Sequence, residues 1–152
     1  MSTYQVSKAS LHSLQSPYRD TARVPPHEHL ARIPAADLFV DTFPYGGHTT
    51  TNETLLTGVP VVTCVGETLP SRIAGSQLHA IGAPELVTDT FADYEALALR
   101  LARNPAELAQ FRARIVANRR THPLFDMARY TRDFEDALLR AWEEHVAATA
   151  RQ

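Results

Sequence analysis

Cysteine, lysine and any imbalance of charge are scarce in this chain, and each scarcity removes a class of function. Cys64 is the only cysteine in 152 residues, which excludes an internal disulfide and any multi-cysteine metal site. Its place in the apolar run Val61-Val62-Thr63-Cys64-Val65 reads as a buried strand residue. Lys8 is the only lysine; positive charge comes from arginine, which we read as a mark of coding composition before any function. The net charge of -2 and pI near 6.4 provide no basic field for nucleic acid or an acidic membrane. No apolar stretch approaches the ~20 residues needed to span a bilayer. The N-terminus lacks the apolar core of a signal peptide. A cytoplasmic protein is therefore expected. Gly-x-Ser-x-Gly, Walker and dinucleotide fingerprints are missing, and so is any internal repeat.

What is present is the length and composition of one soluble domain with a real core. Residues 1–23 are polar and serine-rich, with only Leu11, Leu14 and Tyr18 at loosely helical spacing, and read as a segment apart. From Val24 to the end, apolar runs alternate with helical patterns. Leu38-Phe39-Val40 predicts a short buried strand ending at the turn signal Pro44-Tyr45-Gly46-Gly47. Thr50-Thr51-Asn52-Glu53 has the form of a capping box, with Thr50 opening a helix and Glu53 reaching back to it. That helix stops at Gly58 ahead of Pro60. Val59 to Val65 is a second expected strand, followed by a helix with Ile73, Ala74 and Leu78 on one face and Gly82 at its end.

Glu85-Leu86-Val87 reads as a third strand. Thr90 then caps a helix carrying Phe91, Tyr94, Leu97 and Leu101. Asn104 and Pro105 form an N-cap and first helical position, and Leu108, Phe111 and Ile115 give that helix its face. After Pro123 comes a last long helix, with Met127, Tyr130, Phe134, Leu138 and Trp142 expected inward. The order strand, helix, strand, helix, strand, helix predicts an α/β fold: a partial, Rossmann-like parallel sheet with flanking helices. Continuous apolar runs suit strands covered on both faces.

In open α/β sheets, ligands bind at the carboxyl ends of the strands, beside helix N-termini. Asp41 to Glu53 is the best such place. Gly46-Gly47 permits a tight turn, and His48-Thr49-Thr50 leads into a helix N-terminus whose free N–H groups and dipole favour a phosphate. The same residues also read as a plain turn and cap, so spacing alone leaves both readings open. His27, His29 and His48 match no metal-ligand spacing, and no metal site is expected. Glu143-Glu144 reads as a solvated face.

Ala36-Asp37-Leu38-Phe39-Val40-Asp41-Thr42 followed by Gly47-His48-Thr49-Thr50 resembles the O-linked N-acetylglucosamine transferase or SPINDLY family, glycosyltransferase family 41. The likeness continues through Gly58-Val59-Pro60-Val61-Val62-Thr63 and the run from Gly66-Glu67-Thr68 to Gln77-Leu78. It extends to Pro123-Leu124-Phe125-Asp126 and Leu138-Leu139-Arg140-Ala141-Trp142, covering about Val24 to His145.

The resemblance implies a GT-B fold, two Rossmann-like domains across a cleft, with residues 24–152 as a truncated form of the C-terminal, nucleotide-binding domain. It implies a UDP-sugar donor, most often UDP-N-acetylglucosamine, transfer to protein Ser or Thr hydroxyls, and no metal or other cofactor. By that resemblance His48, Thr49 and Thr50 would hold the diphosphate. Glu53 stands where the family usually has an aspartate on the ribose hydroxyls. His29 and Arg32 would meet the uridine end, and the backbone of 24–26 the uracil. Pro26 replaces a basic residue often found in the family.

The N-terminal catalytic domain, the acceptor-binding repeats and the first strands of the C-terminal domain have no counterpart in these residues. The expectation is therefore a donor-binding portion of a protein O-glycosyltransferase, incomplete for catalysis alone, with the catalytic residues unassigned. The alternatives are a noncatalytic nucleotide-binding module or a nonfunctional truncated remnant. A sheet lacking strands exposes an edge, so association with a missing N-terminal half or with itself is expected.

Overall fold

A computed structural model describes residues 24–149; the polar segment 1–23 lies outside the described residues. Proline opens the first helix, α1 (Pro26–Arg32), where its missing N–H would have had no helical partner anyway. A 3-10 turn over Ile33–Ala35 leads to β1 (Phe39–Val40). The chain then runs through α2 (Thr49–Leu56), β2 (Val61–Cys64), α3 (Ile73–Ala80) and β3 (Val87–Thr88). Three helices complete it: α4 (Phe91–Arg103), α5 (Pro105–Asn118) and α6 (Met127–Thr149).

The three strands form a parallel sheet in the order β1-β2-β3. Phe39 and Val40 pair with Val61 and Val62, while Thr63 and Cys64 pair with Val87 and Thr88. Every residue of β2 is buried, as a central strand covered on both faces must be. Helices α2 and α3 lie against each other and against β2, and α4 packs across β2 and β3 with α5 against it. Leu55, Val61, Val62, Leu78, Leu86, Leu101 and Ile115 make one continuous core.

Two glycines end helices in the same way. Gly58 has φ +89° and Gly82 φ +76°. At the first, the N–H groups of Gly58 and Val59 donate to Leu55 and Thr54 carbonyls; at the second, those of Gly82 and Ala83 donate to His79 and Leu78. This paired pattern satisfies carbonyls that the helix end would otherwise strand, and it needs a left-handed residue. Thr90 and Asn104 cap α4 and α5, accepting from the Asp93 and Glu107 N–H groups.

Three expectations need correction. The third strand is Val87–Thr88 and not Glu85–Val87, because Pro84–Leu86 forms a 3-10 turn in which exposed Glu85 turns out to pair with Arg114 at 2.8 Å. The second strand is shorter than Val59–Val65, since Val59 belongs to the Gly58 helix stop. The largest correction concerns α6. Met127, Tyr130, Phe134, Leu138 and Trp142 do not face inward: they are 52 to 66% exposed, and α6 buries no residue. Its apolar face is real, but no element of the described chain covers it. Among the described residues no helix is long and apolar enough to cross a membrane.

Candidate functional site

The carboxyl end of β1 is organised around Asp41, a residue that is only 6% exposed. One carboxylate oxygen accepts from the Thr42 N–H at 2.9 Å and the Gly47 N–H at 2.6 Å, while the other accepts from the Thr63 hydroxyl at 2.7 Å. A buried charge is tolerated only when so surrounded by donors. The Asp41 carbonyl in turn accepts from the Tyr94 hydroxyl at 2.5 Å, which ties α4 to the same strand end. Burial, the Asp41 charge and Cys64 push the Tyr94 phenol up to about 12.

Asp41 thus sets the path of the glycine loop. A Cβ on Gly47 would lie 2.6 Å from the Thr51 hydroxyl and 3.1 Å from an Asp41 carboxylate oxygen, so no side chain fits there. The loop delivers His48 to the N-cap position of α2. The His48 carbonyl accepts from the Asn52 N–H at 3.1 Å and from the Gln77 side-chain amide of α3 at 3.2 Å. Its imidazole stacks on Tyr45, with ring centres 5.0 Å apart. The imidazole Nε2 is buried and has no partner among the described residues, as are the Thr51 hydroxyl and the Gln77 amide oxygen.

The capping box is corrected here. Helix α2 begins at Thr49, and His48 at its N-cap supplies no side-chain hydrogen bond. Thr49 and Thr50 are already helical and exposed, leaving their hydroxyls and the first-turn N–H groups at the open end of the helix. Glu53 is taken by a different partner: its carboxylate lies 3.2 Å from His29 Nε2, contributed by α1. Arg32 Nη2 lies 3.0 Å from His29 Nδ1. Because guanidinium can only donate, Nδ1 is the acceptor, and His29 donates from Nε2 to Glu53. These three side chains form one chain of hydrogen bonds, partly exposed, beside α2.

The structure therefore assembles the six singled-out residues into two neighbouring groups. His48, Thr49 and Thr50 stand at the helix mouth, and His29, Arg32 and Glu53 stand along it. Sequence reasoning missed Asp41, Gln77 and Tyr94 as organisers. The only signal for Asp41 was an aspartate closing an apolar run just before a glycine turn. Gln77 and Tyr94 gave none, since each acts through a contact far away in sequence. Among the described residues no three His, Cys, Asp or Glu side chains gather as a metal-ligand set.

A parallel sheet with a glycine loop at its carboxyl end, opening onto a helix N-terminus, places the molecule in the Rossmann-like α/β class. The sequence profile of glycosyl transferase family 41 matches residues 17–134. A UDP-N-acetylglucosamine–peptide N-acetylglucosaminyltransferase of Caenorhabditis elegans is 42% identical over 118 residues, 78% of this chain and 10% of the relative. A probable enzyme of the same name, SPINDLY of Oryza sativa, is 34% identical over 124 residues, 82% of this chain and 13% of the relative. A solved O-GlcNAc transferase mutant of Thermobaculum terrenum superposes with a TM-score of 0.74 at 36% identity, covering 80% of this chain and 23% of that one. The chain belongs to glycosyltransferase family 41. It spans about a tenth of the length of the curated relatives it matches.

Proposed function

We propose that this chain is the donor-binding portion of a protein O-glycosyltransferase and binds the nucleoside diphosphate of a UDP-sugar, UDP-N-acetylglucosamine first among them. The observation that carries the reading is the mouth of α2. Among the described residues His48 Nε2 is buried without a partner, beside the exposed Thr49 and Thr50. A diphosphate laid there would accept from Nε2, the two hydroxyls and the first-turn N–H groups, with the helix dipole favouring its charge. Glu53, one turn further along, would accept from ribose hydroxyls, releasing or sharing the hydrogen bond from His29. His29 and Arg32 would then meet the uridine end.

Sugar transfer to Ser or Thr of a protein acceptor belongs, in this reading, to a whole family polypeptide, with this chain contributing the donor site. The relatives' names, which specify UDP-N-acetylglucosamine and a peptide, support that assignment. Titration of the 152-residue chain with UDP by calorimetry tests it, with UMP and His48→Ala as controls. UDP is expected to bind, and both controls to weaken binding by about tenfold or more, the value of one lost charge-assisted hydrogen bond. A folded chain that ignores UDP would sink the proposal. Equal affinity for UDP and UMP would remove the diphosphate from the loop.

A further inference from the structure

Tyr45 sits in the turn between Asp41 and α2 and is 64% exposed, so it does little for the core. Its ring stacks on the His48 imidazole, with centres 5.0 Å apart and planes 21° from parallel. Phe43, two residues earlier, instead meets Phe91 edge-on at 5.3 Å. Among the described residues Tyr45 is therefore the aromatic ring given to His48. The backbone fixes both ends of the stack. The Tyr45 carbonyl accepts from the Thr42 hydroxyl at 2.6 Å. A Cβ on Gly46 would lie 2.9 Å from an Asp41 carboxylate oxygen and 3.2 Å from the Pro70 carbonyl oxygen, so the chain between the two rings runs in a tight slot. Beyond it, the Gln77 side-chain amide donates to the His48 carbonyl at 3.2 Å.

These backbone contacts leave one freedom, rotation of the imidazole about its own side-chain bonds. The histidine χ2 well is broad. The ring makes no cap hydrogen bond to α2, and Nε2 has no partner among the described residues. A hydrogen bond would fix the ring but would occupy a nitrogen. A stack presses on the face and leaves the nitrogens, which bond in the ring plane, free for a ligand. We propose that Tyr45 is a positioning residue for the donor: its stack sets the His48 imidazole in place before a nucleoside diphosphate arrives. Nε2 then donates without the ring first having to be ordered. This role rests on the diphosphate site proposed above and acts through His48 alone. Ordering one side chain ahead of binding, and not during it, is worth about threefold to tenfold in affinity.

Calorimetry with UDP, on the 152-residue chain and its variants, reads that effect. Tyr45→Ala should weaken UDP binding about threefold to tenfold. Tyr45→Phe keeps the stack, removes the hydroxyl and should bind as the unmodified chain does. In a His48→Ala background Tyr45→Ala should change nothing further, because the ring that it positions is gone. Tyr45 is exposed, so these variants keep their fold, which far-ultraviolet circular dichroism checks. Proton NMR of the unliganded chain adds a readout that a general loss of stability would not move. The His48 ring protons should lie upfield under the Tyr45 ring current and move downfield in Tyr45→Ala, with Tyr45→Phe unchanged. If the unmodified chain binds UDP and Tyr45→Ala binds it equally well, the role is overturned and the diphosphate site stands. Equal losses from Tyr45→Ala with and without His48 also overturn it, making Tyr45 a direct contact of the donor. A folded chain that does not bind UDP removes the site and the role together.

Discussion

Helices α4 and α6 read alike in sequence and end in opposite environments. Each carries large apolar side chains at helical spacing with charged residues between them. In α4, Leu101 is fully buried and Leu97 only 7% exposed, because β2 and β3 lie beneath that face. In α6 no residue is buried. Amphipathic periodicity states that a face requires a cover. It does not state which element supplies the cover, and for α6 the described chain supplies none.

Truncating one leucine in each helix is the sharpest way to break this comparison. Leu101→Ala should cost about 2–5 kcal/mol in urea unfolding, since it removes packed methylenes and leaves a cavity. Leu138→Ala at high dilution should cost less than about 0.5 kcal/mol, the ordinary effect of a surface change. Equal losses would mean that α6 is packed after all.

The second largest effect is expected where α4 meets the loop. Asp41→Ala strands the Thr63 hydroxyl and the Gly47 N–H and should cost roughly 3 kcal/mol. It should also abolish UDP binding before the chain unfolds, because the carboxylate holds the path to His48. Binding that survives in the folded variant would separate Asp41 from the loop.

Helix caps extend the comparison at smaller scale. Thr90 accepts from the Asp93 N–H at 3.1 Å, and Asp126 accepts from the Arg129 N–H at 2.9 Å to start α6. Thr90→Ala should lower global stability by about 1 kcal/mol. Asp126→Ala should fray α6 in hydrogen exchange and leave the global midpoint nearly unmoved, because that helix contributes little to the core.

A further effect is one of pH. The Tyr94 phenol is pushed from 10.0 up to about 12 in the folded chain. Between these values the unfolded chain releases this proton and the folded chain keeps it, so stability falls as pH rises through the window. Below pH 10 both states hold the proton and the contribution is constant. Tyr94→Phe should flatten the fall measured by chemical denaturation between pH 10 and 12; an unchanged slope would assign it to other groups.

Much of this was legible along the chain, for reasons that are local. Thr90 and Asn104 were readable as caps because a cap needs only the next three residues. Gly58 and Gly82 were readable as helix stops because a positive φ excludes most side chains. The order of motifs from Ala36 to Asp126 carried the family. The capping box failed for a nonlocal reason: Glu53 has a competing partner in His29, 24 residues away, and propensity cannot rank the two. Glu85-Leu86-Val87 failed because Pro84 and the ion pair to Arg114 favoured a turn over an apolar run too short to decide.

The site divides in the same way. His48, Thr49 and Thr50 could be found from the sequence, since a glycine turn running into a helix start brings backbone donors together without help from distant residues. Asp41, Gln77 and Tyr94 could not, because each acts on the loop across 6, 29 or 53 residues. The sequence by itself determined the helix stops at Gly58 and Gly82, the caps at Thr90 and Asn104, the apolar runs and the family, all of which rest on near neighbours or on an ordered series of motifs. Only the tertiary structure decided which carboxylate holds the loop, which partner Glu53 keeps and which apolar face goes uncovered. Those outcomes depend on which distant groups meet, and a hydrogen bond or a buried face has no energy until its partner is in place.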